Sequence, residues 1–452
     1  MNSRFTTDVR GLRFTVFGLA RSGTALCRLL VEHGATVRAS DARPLSELPG
    51  AAAELESLQV PFVPQSEAAL LSTDVAVLSP GVPPDLPLFL DARAHGVHVT
   101  GDVEIAARFL RGPIAGVTGS NGKTTVTALL GHLLQQSGIP CQIGGNIGTP
   151  VAALVDSSRD GQWNVLELSS FQLEHADQLH LRIAVALNVT PDHLDRHHTF
   201  ENYAAAKAGI FRNQTPADFA VLNFENEPAR AYAARTAAQV FWFHAGGQAA
   251  PGFFQQDGML YCGPDPFMPA AEIPLRGRHN IENVLAGACA AHLAGAPLPA
   301  LRQAVRSFPG VEHRIEFVRH LNGIDYYNDS KATNVDATIK ALESFDSGLW
   351  VILGGKDKNS DYRPLIPLLQ ARARQVLLIG AATEIIAGHL GDSVPLVRCG
   401  DLPAAIAHAF THARPGDTVL LAPACASFDQ FTGYEQRGRA FKEIVHHLEE
   451  RN

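Results

Sequence analysis

The chain has 452 residues, 46% of them hydrophobic and 18% charged, which is enough apolar material for more than one core and too little charge for a mainly disordered chain. At ~150 residues per domain, this length predicts about three domains. Acids outnumber bases 45 to 37, a formal charge of −8, which excludes sequence-independent nucleic-acid binding as the leading reading, because that needs many Lys and Arg facing phosphates.

From the N-terminus, residues 1–18 lack the long apolar core of a signal peptide. No apolar run approaches the ~18 residues that span a bilayer. The six cysteines, at 27, 141, 262, 289, 399 and 425, form no C-x-x-C pair, so reduced thiols in a cytoplasm are expected. Short apolar runs then alternate with helical stretches, which predicts α/β units with mainly parallel sheets. Arg13–Phe17 reads as a first strand, 18–23 as a glycine turn, 24–33 as an amphipathic helix closed by Gly34, and 35–40 as a second strand ending at Asp41. Val75–Leu78 runs into the loop Ser79-Pro80-Gly81. A second unit starts near residue 102. Ile114–Thr118 is its buried strand, 119–123 a loop, and 124–136 a helix with Val126, Leu129, Leu130, Leu133 and Leu134 facing inward. Residues 165–168, 183–189 and 219–222 supply further strands, and 245–270, rich in Gly, Pro and aromatics, reads as a loop or small β excursion. A third unit begins around Gly310, with strands at 349–353, 375–379 and Thr418–Leu421. The predicted domains are 1–101, 102–310 and 311–452.

The most informative stretch is Thr118-Gly-Ser-Asn-Gly-Lys-Thr-Thr125, between a strand and a helix. Glycines let main-chain amides turn toward an anion, and the helix N-terminus adds positive potential. Lys123 is placed to reach the β/γ-phosphates and the Thr124 hydroxyl to ligate Mg²⁺. The strict phosphate-loop pattern has Gly where this chain has Val117, and the glycines fall at 116, 119 and 122 instead. A plain glycine turn with a solvated Lys is the alternative, and the strand–loop–helix context favours phosphate binding. The earlier turn Gly18-x-Ala20-x-x-Gly23, with Asp41 at the end of the next strand, resembles a dinucleotide fingerprint. Alone it fits NAD, another diphosphate nucleotide or a tight βα turn.

Glu167 ends a strand next to the phosphate loop, where an acid can hold Mg²⁺. His193 and His197 are four apart, but the zincin pattern needs Glu where this chain has Leu194, so zinc-protease chemistry is discounted. His193 better suits Mg²⁺ or substrate, and Asp192 has helix capping as its plainer role. Lys207, in a strong helix former, reads by itself as a solvated helix lysine. In the third unit, Arg314 offers a guanidinium for phosphates. Asp329-Ser-Lys-Ala-Thr-Asn334, Gly354-Gly-Lys-Asp-Lys358 and 423–434 read as polar loops at the carboxyl ends of strands, where α/β sheets gather their sites.

Taken together, Thr118–Thr125, Gly145-Asn146-Ile147-Gly148, Glu167-Leu-Ser-Ser-Phe-Gln172, His279-Asn-Ile-Glu-Asn283, His313-Arg314, Asp329–Asn334 and 427–434 resemble the Mur ligase family along the full chain. The phosphate loop and the Glu167 stretch mark the wider family, folylpolyglutamate enzymes included. The Asp329–Asn334 loop resembles the D-glutamate-adding members in particular. Tyr434 departs from the pattern, which usually has Phe there.

The resemblance implies an α/β protein of three domains: N-terminal Rossmann-like for the UDP end of a substrate, a central P-loop ATPase with a mainly parallel sheet, and C-terminal Rossmann-like for an incoming amino acid. It implies an ATP-dependent amide ligase of cytoplasmic peptidoglycan precursor synthesis. The carboxylate of UDP-N-acetylmuramoyl-L-alanine would attack ATP to give an acyl phosphate, which the D-glutamate amine then attacks. By the same resemblance, Lys123, Glu167, His193 and Lys207 are catalytic. Gly119, Ser120, Asn121, Gly122, Lys123, Thr124, Thr125, Asn283, Arg314, Asp329 and Lys331 bind ATP. Gly18, Arg21, Ser22, Gly23, Asp41, Arg43, Ser79, Gly81, Asn146 and His193 face the UDP-substrate, and Thr333, Lys358, Ser427, Phe428 and Tyr434 the D-glutamate. Two Mg²⁺ ions would sit on Thr124, Glu167, His193 and a carbamylated Lys207. A monomer without nucleic-acid partner or membrane insertion is expected, with closure of the domains on substrate. Competing readings are a sister ligase (another Mur enzyme or a folylpolyglutamate synthase), an NAD-dependent oxidoreductase using the first glycine turn, and a non-catalytic nucleotide-binding regulator. The oxidoreductase leaves Lys123 and the third-unit loops unexplained.

Overall fold

Three open sheets organise the chain in the computed structural model, which describes residues 7–449; residues 1–6, part of the stretch read above for a signal peptide, lie outside the described residues. The first sheet holds β1 (Arg13–Phe17), β2 (Thr36–Ser40), β3 (Val75–Leu78) and β4 (His98–Gly101), all parallel, in the order β2-β1-β3-β4. The chain leaves β1 to one side and returns to β3 on the other. The turn after β1 and the loop after β3 therefore meet at a topological switch point, where open α/β sheets bind ligands.

The second sheet comprises β5 (Ile114–Thr118), β6 (Cys141–Gly145), β7 (Trp163–Glu167), β8 (Ile183–Ala186), β9 (Phe219–Asn223), β10 (Gln239–His244), β11 (Gly252–Gln256), β12 (Met259–Cys262) and β13 (Asp265–Pro269), in the order β13-β12-β11-β10-β9-β8-β5-β7-β6. Strands β5 to β11 pair in parallel, and β12 and β13 extend the sheet antiparallel. Thus the stretch 245–270 carries three strands of the sheet. β5 is buried along its whole length between β7 and β8. Behind it the helix Lys123–Gln136 turns Val126, Leu129, Leu130, Leu133 and Leu134 fully inward, as its periodicity predicts. Each such aliphatic side chain contributes about 1.5–3 kcal/mol on burial.

The third sheet holds β14 (Glu316–Leu321), β15 (Ile324–Asn328), β16 (Leu349–Gly354), β17 (Ala373–Ile379), β18 (Leu396–Gly400) and β19 (Thr418–Leu421), in the order β14-β15-β19-β16-β17-β18. β14 joins β15 as an antiparallel hairpin, and the other pairings are parallel. The chain packs as two compact units. One runs to Glu272 and resumes over Glu282–Phe308, holding the first two sheets; the other takes Ile273–Ile281 and Pro309 onward, holding the third.

Several predicted bounds shift for physical reasons. The first helix begins at Arg21 and not at residue 24, because extended Ala20 already serves as its N-cap and shortens the glycine turn. Lys123 is likewise the first helical residue after left-handed Gly122. β8 ends at Ala186 and not at 189, because Asn188 leaves the ladder to bond the loop after β5. Of the strands not predicted, β4, β6, β14 and β18 lie at sheet edges. An edge strand is covered less than a central one and needs no continuous apolar run.

Asp102 opens the helix Asp102–Ala106 after β4, is buried, and accepts the Val103 amide at 2.8 Å. Burial pushes its carboxyl up to about 7, although hydrogen bonds from the Val103 amide and the Ser22 hydroxyl oppose the rise. Between the unfolded value near 4 and this folded value, the native chain keeps a proton that the unfolded chain has released. Stability is therefore lost as pH rises through that window. Asp102→Asn is expected to gain roughly 2–3 kcal/mol over wild type between pH 5 and pH 8, measured by urea unfolding at each pH.

Candidate active site

The loop after β5 is held by its own glycines and by β8. Gly119 and Gly122 have φ of +154° and +86°, and a Cβ on Gly122 would lie 2.5 Å from Asn283 Oδ1. Asn283, far along the chain, thus packs directly against the loop. Asn188, just past β8, clasps it from the other side. Its carbonyl accepts the Ser120 amide at 2.8 Å, its Oδ1 accepts the Asn121 amide at 2.8 Å, and its Nδ2 donates to Asn121 O at 3.1 Å. The Ser120 hydroxyl donates to Thr190 O at 3.0 Å and accepts the Thr190 amide at 2.9 Å. Lys123 folds back, its Nζ donating to Gly119 O at 2.8 Å and Ser120 O at 2.9 Å. Two of the loop amides, Ser120 and Asn121, are therefore engaged by Asn188, a residue the sequence reading did not single out. Its only signal is an amide side chain directly after an apolar strand.

Glu167 is no exposed strand end. It is 2% exposed, with Oε2 accepting the Thr124 hydroxyl at 2.8 Å and Oε1 accepting Asn146 Nδ2 at 2.9 Å. The Asn146 amide also donates to Glu167 O at 2.9 Å, and a Cβ on Gly145 would strike that same oxygen at 2.3 Å. The Gly145–Gly148 loop is thereby explained: it places an amide side chain on the buried carboxylate.

Lys207 overturns its plain reading as a solvated lysine. The helix Phe200–Ala208 turns it toward the phosphate loop, where it is 1% exposed, donates to Gly119 O at 2.8 Å and lies 4.4 Å from the centre of the Tyr203 ring. Burial, reinforced by the Lys123 charge, drives its pKa well below the ordinary lysine value, against the pull of Asp192 and Glu167. His193 is exposed, in the left-handed conformation at φ +52°, with its ring edge-on to Phe171 at 5.0 Å. His197 is instead buried, bonded to Ser170 Oγ at 3.0 Å and stacked on Phe171. Among the described residues, no three His, Cys, Asp or Glu side chains cluster as a metal cage. One carboxylate beside one hydroxyl fits a cation that completes its shell with phosphate oxygens and water, the usual manner of Mg²⁺.

At the first switch point, Gly18 and Gly23 are sterically required: a Cβ on Gly23 would lie 1.9 Å from Gly18 O. Ser79 Oγ donates to Gly18 O at 2.7 Å, and Asp41 accepts the Leu19 amide at 2.8 Å and the Arg43 amide at 3.0 Å. Burial alone would raise the Asp41 carboxyl, but these amides and the Arg43 guanidinium hold it below its ordinary range. Arg21 donates to Gly148 O at 2.9 Å, joining this turn to the Asn146 loop. Ser22 reaches Asp102, and Gly81 has open space where a side chain would stand.

In the second unit, the loops after β15, β16 and β19 are laced together. Ala424 donates to Ala332 O at 2.9 Å, and Lys356 and Ala426 exchange main-chain bonds of 2.8 and 3.1 Å. This brings the loops bearing Thr333, Lys358 and Ser427 to one sheet edge. Ser427 is buried, Phe428 is 67% exposed, and Lys331 Nζ lies 5.2 Å from the centre of the Tyr434 ring. The Tyr434 ring also meets the His313 ring edge-on at 6.1 Å. Asp329 is buried and accepts the Ile315 amide at 3.3 Å. Burial raises its carboxyl to about 6, while Arg314 and Lys331 pull it back. Arg314 sits between two residues of positive φ, His313 at +65° and Ile315 at +43°, a strained stretch of the kind found where a side chain must be aimed. Asn334 is a helix cap, accepting the Ala337 amide at 2.8 Å.

A phosphate loop opening a helix, with a buried carboxylate at the neighbouring strand tip, places the chain among the P-loop proteins that bind a nucleoside triphosphate. Residues 13–101 match the N-terminal domain of the MurD-like Mur ligases, 117–291 the Mur ligase middle domain, and 313–425 the Mur ligase glutamate ligase domain. The UDP-N-acetylmuramoylalanine–D-glutamate ligase of Solibacter usitatus is 56% identical over 441 residues, covering 98% of this chain and 99% of the relative. The same-named ligase of Acidobacterium capsulatum is 48% identical, covering 97% of each chain. Among solved structures, the UDP-N-acetylmuramate–alanine ligase of Thermotoga maritima superposes with a TM-score of 0.61 at 19% identity, over 96% of this chain and 99% of that one. The chain belongs to the Mur ligase family of ATP-dependent ligases.

Gly122→Ala, which drives a methyl into Asn283 at a left-handed position, is expected to cut ATP affinity at least tenfold in calorimetric titration while the protein stays folded.

Proposed function

We propose that the chain joins D-glutamate to UDP-N-acetylmuramoyl-L-alanine, the reaction named for its relatives, as a cytoplasmic monomer with domains at 1–101, 102–310 and 311–452. The observation that carries this reading is the convergence of Thr124, buried Glu167 and buried Lys207 on the 119–124 loop, in a chain 56% identical to such a ligase. The substrate carboxylate attacks the γ-phosphorus of ATP, the bond to the β–γ bridging oxygen breaks, and ADP leaves. The D-glutamate amine then attacks the acyl-phosphate carbonyl, loses a proton, and phosphate departs.

The first step forces a carboxylate toward a triphosphate, so its barrier is dominated by like-charge repulsion. Lys123 offsets that charge at the phosphates, and the amides from Gly122 onward supply main-chain donors, since Asn188 engages those of Ser120 and Asn121. Asn283, Arg314, Asp329 and Lys331 hold the nucleotide. Gly18, Arg21, Ser22, Gly23, Asp41, Arg43, Ser79, Gly81 and Asn146 face the UDP-substrate. Thr333, Lys358, Ser427, Phe428 and Tyr434 take the D-glutamate.

Two Mg²⁺ ions, on Thr124, Glu167, His193 and Lys207, would supply charge neutralisation at the transferring phosphoryl group. An amine cannot serve such an oxygen-seeking ion, and the depressed basicity of Lys207 offers the remedy. A neutral buried amine adds to CO₂, forms an N–C bond, sheds a proton and becomes an anionic oxygen ligand. Labelling with ¹³C-bicarbonate should give a carbamate resonance that Lys207→Arg lacks, and that variant should lose more than 100-fold in turnover. EDTA should abolish ADP release, and Mg²⁺ should restore it. The deciding test of the substrate is ADP release across a panel of amino acids. Strict dependence on D-glutamate is expected, and strict dependence on any other amino acid would refute the reading.

A further inference from the structure

Arg437, on the second turn of the helix Tyr434–His446, is 1% exposed and has no carboxylate partner among the described residues. Every acceptor is a hydroxyl or a carbonyl. Nε donates to Ser330 Oγ at 3.0 Å; Nη2 donates to Ser330 O at 2.9 Å and Cys425 O at 3.1 Å; Nη1 reaches Ala426 O at 3.4 Å and Gly354 O at 3.5 Å. Ser330 answers by donating its hydroxyl to Tyr434 O at 2.8 Å. One planar guanidinium therefore spans the loops after β15, β16 and β19, and these loops with the start of its own helix bear Thr333, Lys358, Ser427 and Tyr434. The approach is close enough to dictate sequence: a Cβ on Gly355 would fall 2.2 Å from Ala426 O and 3.1 Å from Arg437 Nη1.

Burying a cation without a bonded counter-ion is costly, and here the Asp429 carboxylate opposes that cost only through space. Burial lowers the Arg437 pKa to about 10, which leaves it charged at neutral pH. Its donors are turned to the protein, so it does not itself grip a ligand. Its effect passes through the main chain. In a planar trans peptide the carbonyl and the next amide point opposite ways. With the Ala426 carbonyl drawn to the guanidinium, the Ser427 N–H is turned away from it.

We propose that Arg437 is the positioning residue of the amino-acid subsite: its five hydrogen bonds fix the three strand-tip loops as one cradle. The inference rests on the D-glutamate reading given above. An ammonium is a point donor and cannot span five acceptors, so Arg437→Lys keeps the charge but loses the geometry.

The test uses the full-length enzyme with saturating ATP and UDP-substrate, and compares D-glutamate with hydroxylamine, a small amine that can intercept the acyl phosphate without carboxylate contacts. Arg437→Lys should raise KM for D-glutamate at least tenfold while ATP KM and hydroxylamine-supported ADP release stay within twofold. An unchanged D-glutamate KM, or equal loss with both amines, would overturn the proposal. If Arg437→Lys does not fold, Ser330→Ala, which removes the Nε acceptor, must show the same selective rise, and its absence is equally fatal. A wild-type enzyme indifferent to D-glutamate would instead fault the underlying reading of the substrate.

Discussion

A carboxylate sits buried beside a loop built to hold anions, and the rest of the central site follows from that. Glu167 alone in this position would repel phosphate and pay the full cost of desolvation. Two hydrogen bonds, from Thr124 and Asn146, keep it in place. They do not cancel its charge, which is why the proposed Mg²⁺ is assigned there. The two lysines on the same loop carbonyl are unlike in consequence. Lys123 is the loop's own cation, whereas Lys207 is sealed in beside it, and the charge of the first adds to the burial that lowers the basicity of the second.

What the sequence disclosed follows how each feature is encoded. Central strands read as apolar runs and the helix behind β5 as a 3.6-residue period, because both are buried on defined faces. The phosphate loop was legible because glycine, lysine and threonine at fixed spacing have few other reasons to coincide. Edge strands such as β6 and β18 were not, since their half-covered faces tolerate polar residues. The burial of Lys207 had no local signal: the helix composition around it is that of a solvent-facing segment, and only packing against the loop decides otherwise. Asn188 and Arg437 escaped for a related reason. Their partners are mostly main-chain atoms, which leave no trace in residue type.

The third sheet shows another way to build a site. Its loops are not held by an asparagine clasp like that of Asn188 on the phosphate loop, although the one after β16 also opens on two glycines of positive φ, Gly354 and Gly355. Instead, backbone bonds lace Ala332 to Ala424 and Lys356 to Ala426, with one guanidinium beneath. Strand ends tied together in this way hold the side chains they carry in fixed positions. The strained His313 and Ile315, on either side of Arg314, lie at the entry to this sheet, and buried Asp329 at the end of β15 ties back to Ile315. On the proposed reading, groups assigned to the nucleotide and to the amino acid alternate along a single loop, Asp329 and Lys331 with Thr333.

Strand order also dictates when each cradle can exist during synthesis. β5 lies between β7 and β8, both made later, so the phosphate loop has no walls until residues through about 190 have left the ribosome. The effect is stronger in the third sheet, where β19 separates β15 from β16 although it is the last strand translated. Until Thr418–Leu421 inserts, a nascent chain holds two half-sheets with exposed apolar edges, and Arg437 arrives later still. The loops bridged by Arg437 are therefore assembled last, and a message cut short near its end yields a protein whose phosphate loop is walled but whose third sheet is left without its central strand.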